Sequence, residues 1–132
     1  MKIFFDENFS KYLATGISEL QKGMRHEGIE VLHLTQHFDK GVADEKWIPE
    51  IAKMHGIIIT QDTRIARTGS LWKLCTDYKL GIFFVKPSKS YKYWDIVRFI
   101  INKWAAIKDK ANTSNRPFGY IVTPNKIERM NH

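Results

Sequence analysis

The chain has 132 residues, a length that fits one domain, and its 43% hydrophobic content excludes a disordered or fibrous protein. A single cysteine, Cys75, excludes an intrachain disulfide, no run approaches the roughly 18 apolar residues of a membrane span, and Asp6 would interrupt a secretory signal. We therefore predict a soluble cytoplasmic protein. Its net charge of +7 suits a polyanion such as nucleic acid, but a basic surface on a small protein can also serve solubility alone.

Strands and helices alternate in the first half of the sequence. We predict strands at 2–5, 29–34 and 57–60, a helix capped by Asn8 or Ser10 that ends near Lys22, and a helix at 43–55. The residues expected on the inner helix faces are Leu13, Ile17, Leu20, Trp47, Ile51 and Met54. Because proline is costly inside a helix, Pro49 predicts that the second helix begins near Lys46.

The alternation continues in the second half. We predict a loop or short turn at 62–68, helices at 70–78 and 90–110, and strands at 81–85 and 118–122. In the longest helix, the residues at helical spacing that we expect in the core are Trp94, Val97, Ile101 and Trp104. The polar tail at 123–132 is predicted to be flexible.

This alternation predicts an α/β fold with three layers, α/β/α, and a central, mainly parallel sheet of Rossmann-like type. Both faces of such a sheet are covered by helices, so its strands are expected to be continuously apolar. A single domain would span residues 1–132. The sequence contains neither a GxGxxG motif after the first strand nor a P-loop, so a dinucleotide or nucleotide triphosphate site has no support.

Acidic residues from three parts of the chain are expected at one edge of this sheet. Asp6 follows the first strand by one residue, Asp62 follows the third by two, and Asp44 and Glu45 open the helix after the second. Ligands of open parallel sheets bind outside the carboxyl ends of the strands. Because clustered carboxylates repel one another unless a cation intervenes, and hard oxygen ligands suit Mg²⁺ or Mn²⁺, this pattern indicates a metal site.

Each acid also has a purely structural interpretation. Asp6 and Asp44 can cap the helices that follow them, and Asp62 can form an Asx-turn. Taken singly, these structural roles are favoured. Taken together, the metal site is favoured, because three independent structural roles do not predict that all three acids share one edge.

The basic residues lie mainly in the second half. Residues 1–66 have a net charge of −2, whereas residues 67–132 have +9. Arg64 and Arg67 suit phosphate oxygens, but they can equally pair with Asp62. The segment KPSKSYKYW at 86–94 interleaves bases with aromatic residues, a pattern that suits single-stranded RNA. We interpret Lys86, Lys89, Tyr91 and Lys92 as RNA-binding residues and Trp94 as a core residue.

Three motifs resemble the PIN-like nuclease group, which includes VapC-type toxins and their short relatives. The motifs are IFFDEN at the start, VADEKWIPEIAKMHG in the middle and IIITQDTRIAR after it, and they span roughly residues 1–67. Members of this group have an Asp at the end of the first strand, an acidic residue at the start of a middle helix, and a strand followed by Thr-x-Asp. The order of elements fits the group across the whole chain.

The resemblance implies a metal-dependent endoribonuclease, often the toxin of a toxin–antitoxin pair, that uses Mg²⁺ or Mn²⁺. Asp6, Asp44 and Asp62 would be the catalytic metal ligands, with Glu45 as the alternative to Asp44. Relatives often have a further acid two positions after the Thr-x-Asp aspartate, where this chain has Arg64. That departure leaves a second interpretation open, a PIN-like module with impaired catalysis that binds nucleic acid or a partner protein.

The implied partners are RNA and a cognate antitoxin protein. A second copy of the chain is a further possible partner, and no membrane association is expected.

Overall fold

The computed structural model describes residues 1–130, in which six strands form one sheet. The strands are β1 (Lys2–Phe5), β2 (Glu30–His33), β3 (Ile57–Thr60), β4 (Gly81–Val85), β5 (Phe118–Val122) and β6 (Ile127–Arg129). Their order across the sheet is β2-β1-β3-β4-β5-β6, and every neighbouring pair is parallel except β5 and β6. The predicted mainly parallel sheet is confirmed.

Five α-helices cover the sheet. They are α1 (Lys11–Gln21), α2 (Asp44–Lys53), α3 (Arg64–Arg67), α4 (Gly69–Asp77) and α5 (Tyr93–Thr113). Of the two predicted caps for α1, Ser10 takes the role, because its hydroxyl accepts the backbone N–H groups of Tyr12 and Leu13. In the part of the chain described here, no helix is both long and apolar enough to cross a membrane.

Two hydrophobic cores define the three layers. Successive side chains of a strand point to opposite faces, so Ile3 and Phe5 join a core with α1 and α5, whereas Phe4 joins a core with α2, α3 and α4. In β3, Ile57 and Ile59 likewise join the core with α1 and α5, whereas Ile58 joins the core with α2, α3 and α4. Because both faces are covered, all four residues of β3 are buried.

The start of α2 agrees with the predicted range 43–55 and not with the later start suggested by Pro49. The helix begins at Asp44, not near Lys46, and Pro49 lies inside it. Pro49 has no N–H to donate to the carbonyl of Glu45 four residues earlier. Glu45 is exposed, so water can bond that carbonyl, and the helix tolerates the proline.

Three side chains predicted to face inward are exposed. Leu20 is exposed because the buried series in α1 runs from Leu13 and Ile17 to Gln21. Trp94 and Ile101 are exposed in α5, whose buried residues are Phe99, Ile100, Ile107 and Ala111. The other two residues of the predicted series, Val97 and Trp104, do pack against the first core, so the prediction for α5 is right for two residues and wrong for two. The helix also extends past its predicted end.

The tail is more ordered than predicted. Within it, Ile127–Arg129 form β6, which pairs with β5 and has Ile127 against the first core. Antiparallel pairing needs only a short turn, and residues 123–126 provide it. Residues 131 and 132, which also belong to the predicted flexible tail, lie outside the described residues.

The strand order creates a crevice beside β1. The chain passes from β1 to β2 on one side and then returns to β3 on the other side. Such a point, where the direction of strand addition reverses, is where open α/β sheets bind ligands beyond the carboxyl ends of their strands. Asp6 and Asp62 follow the two strands that flank this point.

Candidate functional site

The three predicted catalytic aspartates line one pocket of about 480 Å³ at the carboxyl edge of the sheet. β1 and β3 position Asp6 and Asp62, and the first turn of α2 positions Asp44. Glu7 accepts the backbone N–H of Gly41 at 3.0 Å, which ties the loop after β1 to the loop before α2. Three distant parts of the sequence therefore meet at the crevice.

Asp6 is the most buried acid of the pocket, with 7% of its surface exposed. Its backbone N–H donates to the carbonyl of Ile59 at 3.0 Å, which holds it beside the end of β3. The Thr60 hydroxyl donates to Oδ2 of Asp6, and the backbone N–H of Asp62 donates to the same hydroxyl at 2.9 Å. Thr60 thus connects two of the predicted metal ligands.

Burial raises the pKa of Asp6 from 3.8 to about 6. The charges of Asp62 and Glu7 raise this pKa further, whereas hydrogen bonds from Thr60 and Asn8 lower it. The pocket therefore disfavours an uncompensated negative charge at Asp6, and a cation nearby would relieve that cost.

We expect Asp6→Asn to stabilise the metal-free protein at pH 8. The folded state holds the Asp6 proton more tightly than the unfolded chain, so ionisation lowers stability as pH rises from about 4 to about 6 and the loss stays constant above that. This pKa difference lowers the free energy of unfolding at pH 8 by roughly 3 kcal/mol. The amide offers one acceptor oxygen in place of two, so it cannot accept from both the Thr60 hydroxyl and the Asn8 N–H, which costs about 1 kcal/mol and leaves a gain of about 2 kcal/mol.

Urea unfolding in EDTA, at pH 8 and at pH 4, measures this difference. The gain should be present at pH 8 and absent at pH 4, where Asp6 of the folded protein is already neutral. An equal effect at both pH values would contradict the burial argument.

Asp44 faces the same pocket from the first turn of α2. Its Oδ1 accepts the indole N–H of Trp47 at 2.9 Å, an interaction between residues three apart on one helix. Burial raises the pKa of Asp44, while the Trp47 bond and the charge of Arg64 lower it. The neighbouring Glu45 also lines the pocket, but it is exposed.

Arg64 pairs with the aspartates. Its Nε lies 2.9 Å and 3.0 Å from the two carboxylate oxygens of Asp62, its Nη2 lies 2.5 Å from Oδ2, and the same Nη2 is 3.9 Å from Oδ2 of Asp44. These hydrogen bonds hold the pKa of Asp62 below its ordinary value. Of the two roles that the sequence leaves open for Arg64, the structure shows pairing with an acid.

The donor chemistry of the pocket suits a hard divalent ion, because its acidic side chains all offer carboxylate oxygens. Among residues 1–130, however, no group of three or more His, Cys, Asp or Glu side chains is close enough together to hold a metal ion. The Arg64 guanidinium supplies positive charge between Asp62 and Asp44 in this arrangement. The metal-ligand roles of Asp6, Asp44, Glu45 and Asp62 stay predictions.

Of the predicted RNA-binding residues, Arg64 lines the acidic pocket and the other five lie outside it. Arg67 is exposed at the end of α3, and Lys86, Lys89 and Lys92 are exposed in the loop between β4 and α5. Tyr91 is half-buried, with the centroid of its ring 6.0 Å from that of Phe99. A second concavity is lined by Gln61, Lys86, Lys89 and Tyr91, and Gln61 stands in the chain between Thr60 and Asp62, which line the acidic pocket.

Two supporting residues were missed in the sequence. Asn8 was expected as a possible helix cap, but its backbone N–H bonds Asp6 at 3.2 Å. Trp47 was expected only as a core residue, but it also bonds Asp44. Two local patterns in the sequence could have indicated these bonds: the Asp-Glu-Asn sequence directly after a strand, and the three-residue spacing from Asp44 to Trp47.

A family model described as a PIN-like domain matches residues 1–87, about two thirds of the chain. The matched range contains the three aspartates of the pocket, Arg64 and Arg67. Comparison with curated proteins and with solved structures gave no significant match.

Proposed function

Because this chain belongs to the PIN-like domain family, whose members are generally nucleases, we propose that it is a metal-dependent endoribonuclease that hydrolyses phosphodiester bonds in RNA. The observation that supports the proposal most is the meeting of Asp6, Asp44 and Asp62 in one pocket at the strand-order reversal. Their separate structural roles do not require these three carboxylates, from distant parts of the chain, to share one pocket.

In this proposal, Asp6, Asp44 and Asp62 hold Mg²⁺ or Mn²⁺, with Glu45 as the alternative to Asp44. The ion supplies Lewis acidity that activates water and stabilises charge on the phosphate. Thr60 orients the Asp6 carboxylate through its hydroxyl and also fixes the backbone of Asp62.

The basic residues next to the pocket would orient the RNA. Arg64 and Arg67 are suited to phosphate oxygens beside the carboxylates, because a guanidinium matches phosphate geometry. The residues proposed to hold the flanking RNA are Lys86, Lys89, Tyr91 and Lys92. All of them border the concavity at Gln61 or lie in the same loop.

Removal of the metal tests the proposal. Total RNA incubated with the protein and Mn²⁺ should be cleaved, EDTA should stop the cleavage, and excess Mn²⁺ should restore it. RNA that stays intact in Mn²⁺, or cleavage that continues in EDTA, would contradict the proposal.

The arrangement of Arg64 favours a second candidate, a PIN-like module without catalysis that binds nucleic acid or a partner protein. The Arg64 guanidinium already neutralises Asp62, so the chain itself compensates part of the negative charge of the pocket. This candidate predicts no Mn²⁺ binding at millimolar concentration.

A role as the toxin of a type II toxin–antitoxin system is the finer form of the nuclease proposal. It predicts growth arrest in cells that express the protein, and rescue by the product of a neighbouring small gene. Normal growth despite verified expression of folded protein would count against the toxin role, while leaving the nuclease chemistry to the cleavage assay.

A further inference from the structure

Two exposed aromatic side chains stand together at the start of α5. Trp94 is 66% exposed and Tyr93 is 48% exposed. Their rings are nearly perpendicular, with centroids 5.4 Å apart. Neither ring is among the described residues of the two hydrophobic cores. Large aromatic side chains gain much from burial, so an adjacent pair left in water indicates a contact surface.

The charges around this pair are positive. Lys86, Lys89 and Lys92 precede it and are exposed, and no ion pair of the described residues involves them. The one acid of the segment, Asp95, is neutralised by Arg98 at 2.7 Å. This charge favours a polyanion over an ordinary protein surface as the occupant.

The pair lies beyond the same edge of the sheet as the acidic pocket. Thr60 of β3 is in register with Phe84 of the parallel strand β4, so both strands end at that edge. The loop after β4 carries the three lysines and leads directly into Tyr93. This loop lines a concavity of about 580 Å³ through Lys86 and Lys89, together with Gln61, whose chain neighbours Thr60 and Asp62 line the acidic pocket.

We propose that Tyr93 and Trp94 form a stacking site for an unpaired RNA base, on a strand whose phosphates lie along Lys86, Lys89 and Lys92. The choice of RNA as ligand rests on the proposed nuclease function. Aromatic side chains stack with any base whose face is free, whereas the bases of a duplex are stacked on one another. The site therefore selects unpaired RNA, with little preference for base identity.

Fluorescence anisotropy with a labelled, unstructured 12-nucleotide RNA tests this site in EDTA, where metal-dependent cleavage is prevented. In the full-length protein, Trp94→Ala should weaken single-strand binding roughly 5- to 100-fold. Trp94→Phe should retain most of the affinity. Duplex RNA of the same length should bind the wild type and Trp94→Ala within about twofold of each other, because its phosphates still meet the lysines.

Ile101→Ala is the matched control, since Ile101 is also an exposed apolar residue of α5, at 47%. It should leave binding unchanged. The stacking site is overturned if Trp94→Ala binds single strands as the wild type does, or if it weakens duplex binding equally. It is also overturned if Trp94→Ala disrupts self-association or binding of a partner protein but not of RNA.

The outcome is separable from that of the nuclease proposal. Trp94-dependent RNA binding by a protein that does not cut RNA in Mn²⁺ would keep the stacking site and refute the nuclease. Mn²⁺-dependent cleavage, together with RNA binding that does not depend on Trp94, would refute the stacking site and support the nuclease. A wild type that binds no RNA in EDTA overturns the stacking site, whatever the cleavage assay gives.

Discussion

Asp62→Asn is expected to lower Mn²⁺-dependent RNA cleavage at least about 100-fold, because even residues that only support a metal ligand contribute 10- to 100-fold. Asparagine keeps the shape of the side chain and removes the negative charge that Asp62 contributes to the pocket. The backbone N–H of residue 62 still bonds Thr60, so the turn after β3 should persist. Initial cleavage rates at saturating Mn²⁺, with circular dichroism to verify folding, give the result.

Asp77→Asn provides the matched control for Asp62→Asn. Asp77 is an exposed acid in α4 that pairs with Lys73 on the surface and does not line the acidic pocket. Its replacement should leave the cleavage rate unchanged. Equal cleavage by the wild type and by folded Asp62→Asn would remove Asp62 from the catalytic set.

Arg64→Ala is expected to strengthen Mn²⁺ binding about tenfold, in the range that neighbours of metal ligands usually control. In the structure, the guanidinium bonds both oxygens of Asp62 and extends to Asp44, so it competes with a divalent ion for the same carboxylates. Removal of this charge leaves the carboxylates free to bind the ion. Isothermal titration calorimetry at pH 7.5 measures the change without reference to catalysis.

Two variants separate competition at the carboxylates from a general effect of charge. Arg67→Ala removes a nearby positive charge that is hydrogen-bonded to neither Asp62 nor Asp44 in the described structure, and it should change Mn²⁺ affinity far less. Arg64→Lys keeps the charge without the planar fork and should bind Mn²⁺ with intermediate affinity. Weaker Mn²⁺ binding by Arg64→Ala would contradict the competition.

Cleavage by Arg64→Ala at saturating Mn²⁺ gives separate information. A lower rate despite tighter metal binding would assign Arg64 a contact to the scissile phosphate as well. An unchanged rate would leave it as a competitor of the ion alone.

The fold could be predicted because the strands are short, continuously apolar runs separated by helical patterns. Ile57–Thr60 is a clear example, with all four residues buried. The short strand Ile127–Arg129 could not be predicted, because only Ile127 packs on a core and two of its three residues are exposed. Its order comes from pairing with β5, a contact that leaves no pattern in a polar segment.

The shared location of the aspartates could also be predicted, because the carboxyl ends of parallel strands lie at one edge of a sheet. The role of Arg64 could not, since a guanidinium next to a carboxylate suits either a phosphate or an ion pair. Only the distances from Arg64 to Asp62 and Asp44 distinguish these two roles in the metal-free protein.

The exposure of Trp94 was predicted wrongly for a different reason. A helix of 21 residues with many apolar side chains contains two overlapping series at helical spacing. Val97 and Trp104 of the predicted series pack against the first core, whereas Trp94 and Ile101 are exposed. The spacing does not show where the buried face of the helix ends, because that depends on what packs beneath the helix in the folded chain.

Calorimetric titration with Mn²⁺ tests most directly whether Asp6, Asp44 and Asp62 form one cation site. We expect saturable binding to the wild type at or below millimolar Mn²⁺, and binding at least about 100-fold weaker in each of Asp6→Asn, Asp44→Asn and Asp62→Asn. No binding to the folded wild type, or binding to all three variants as tight as to the wild type, would contradict a shared cation site.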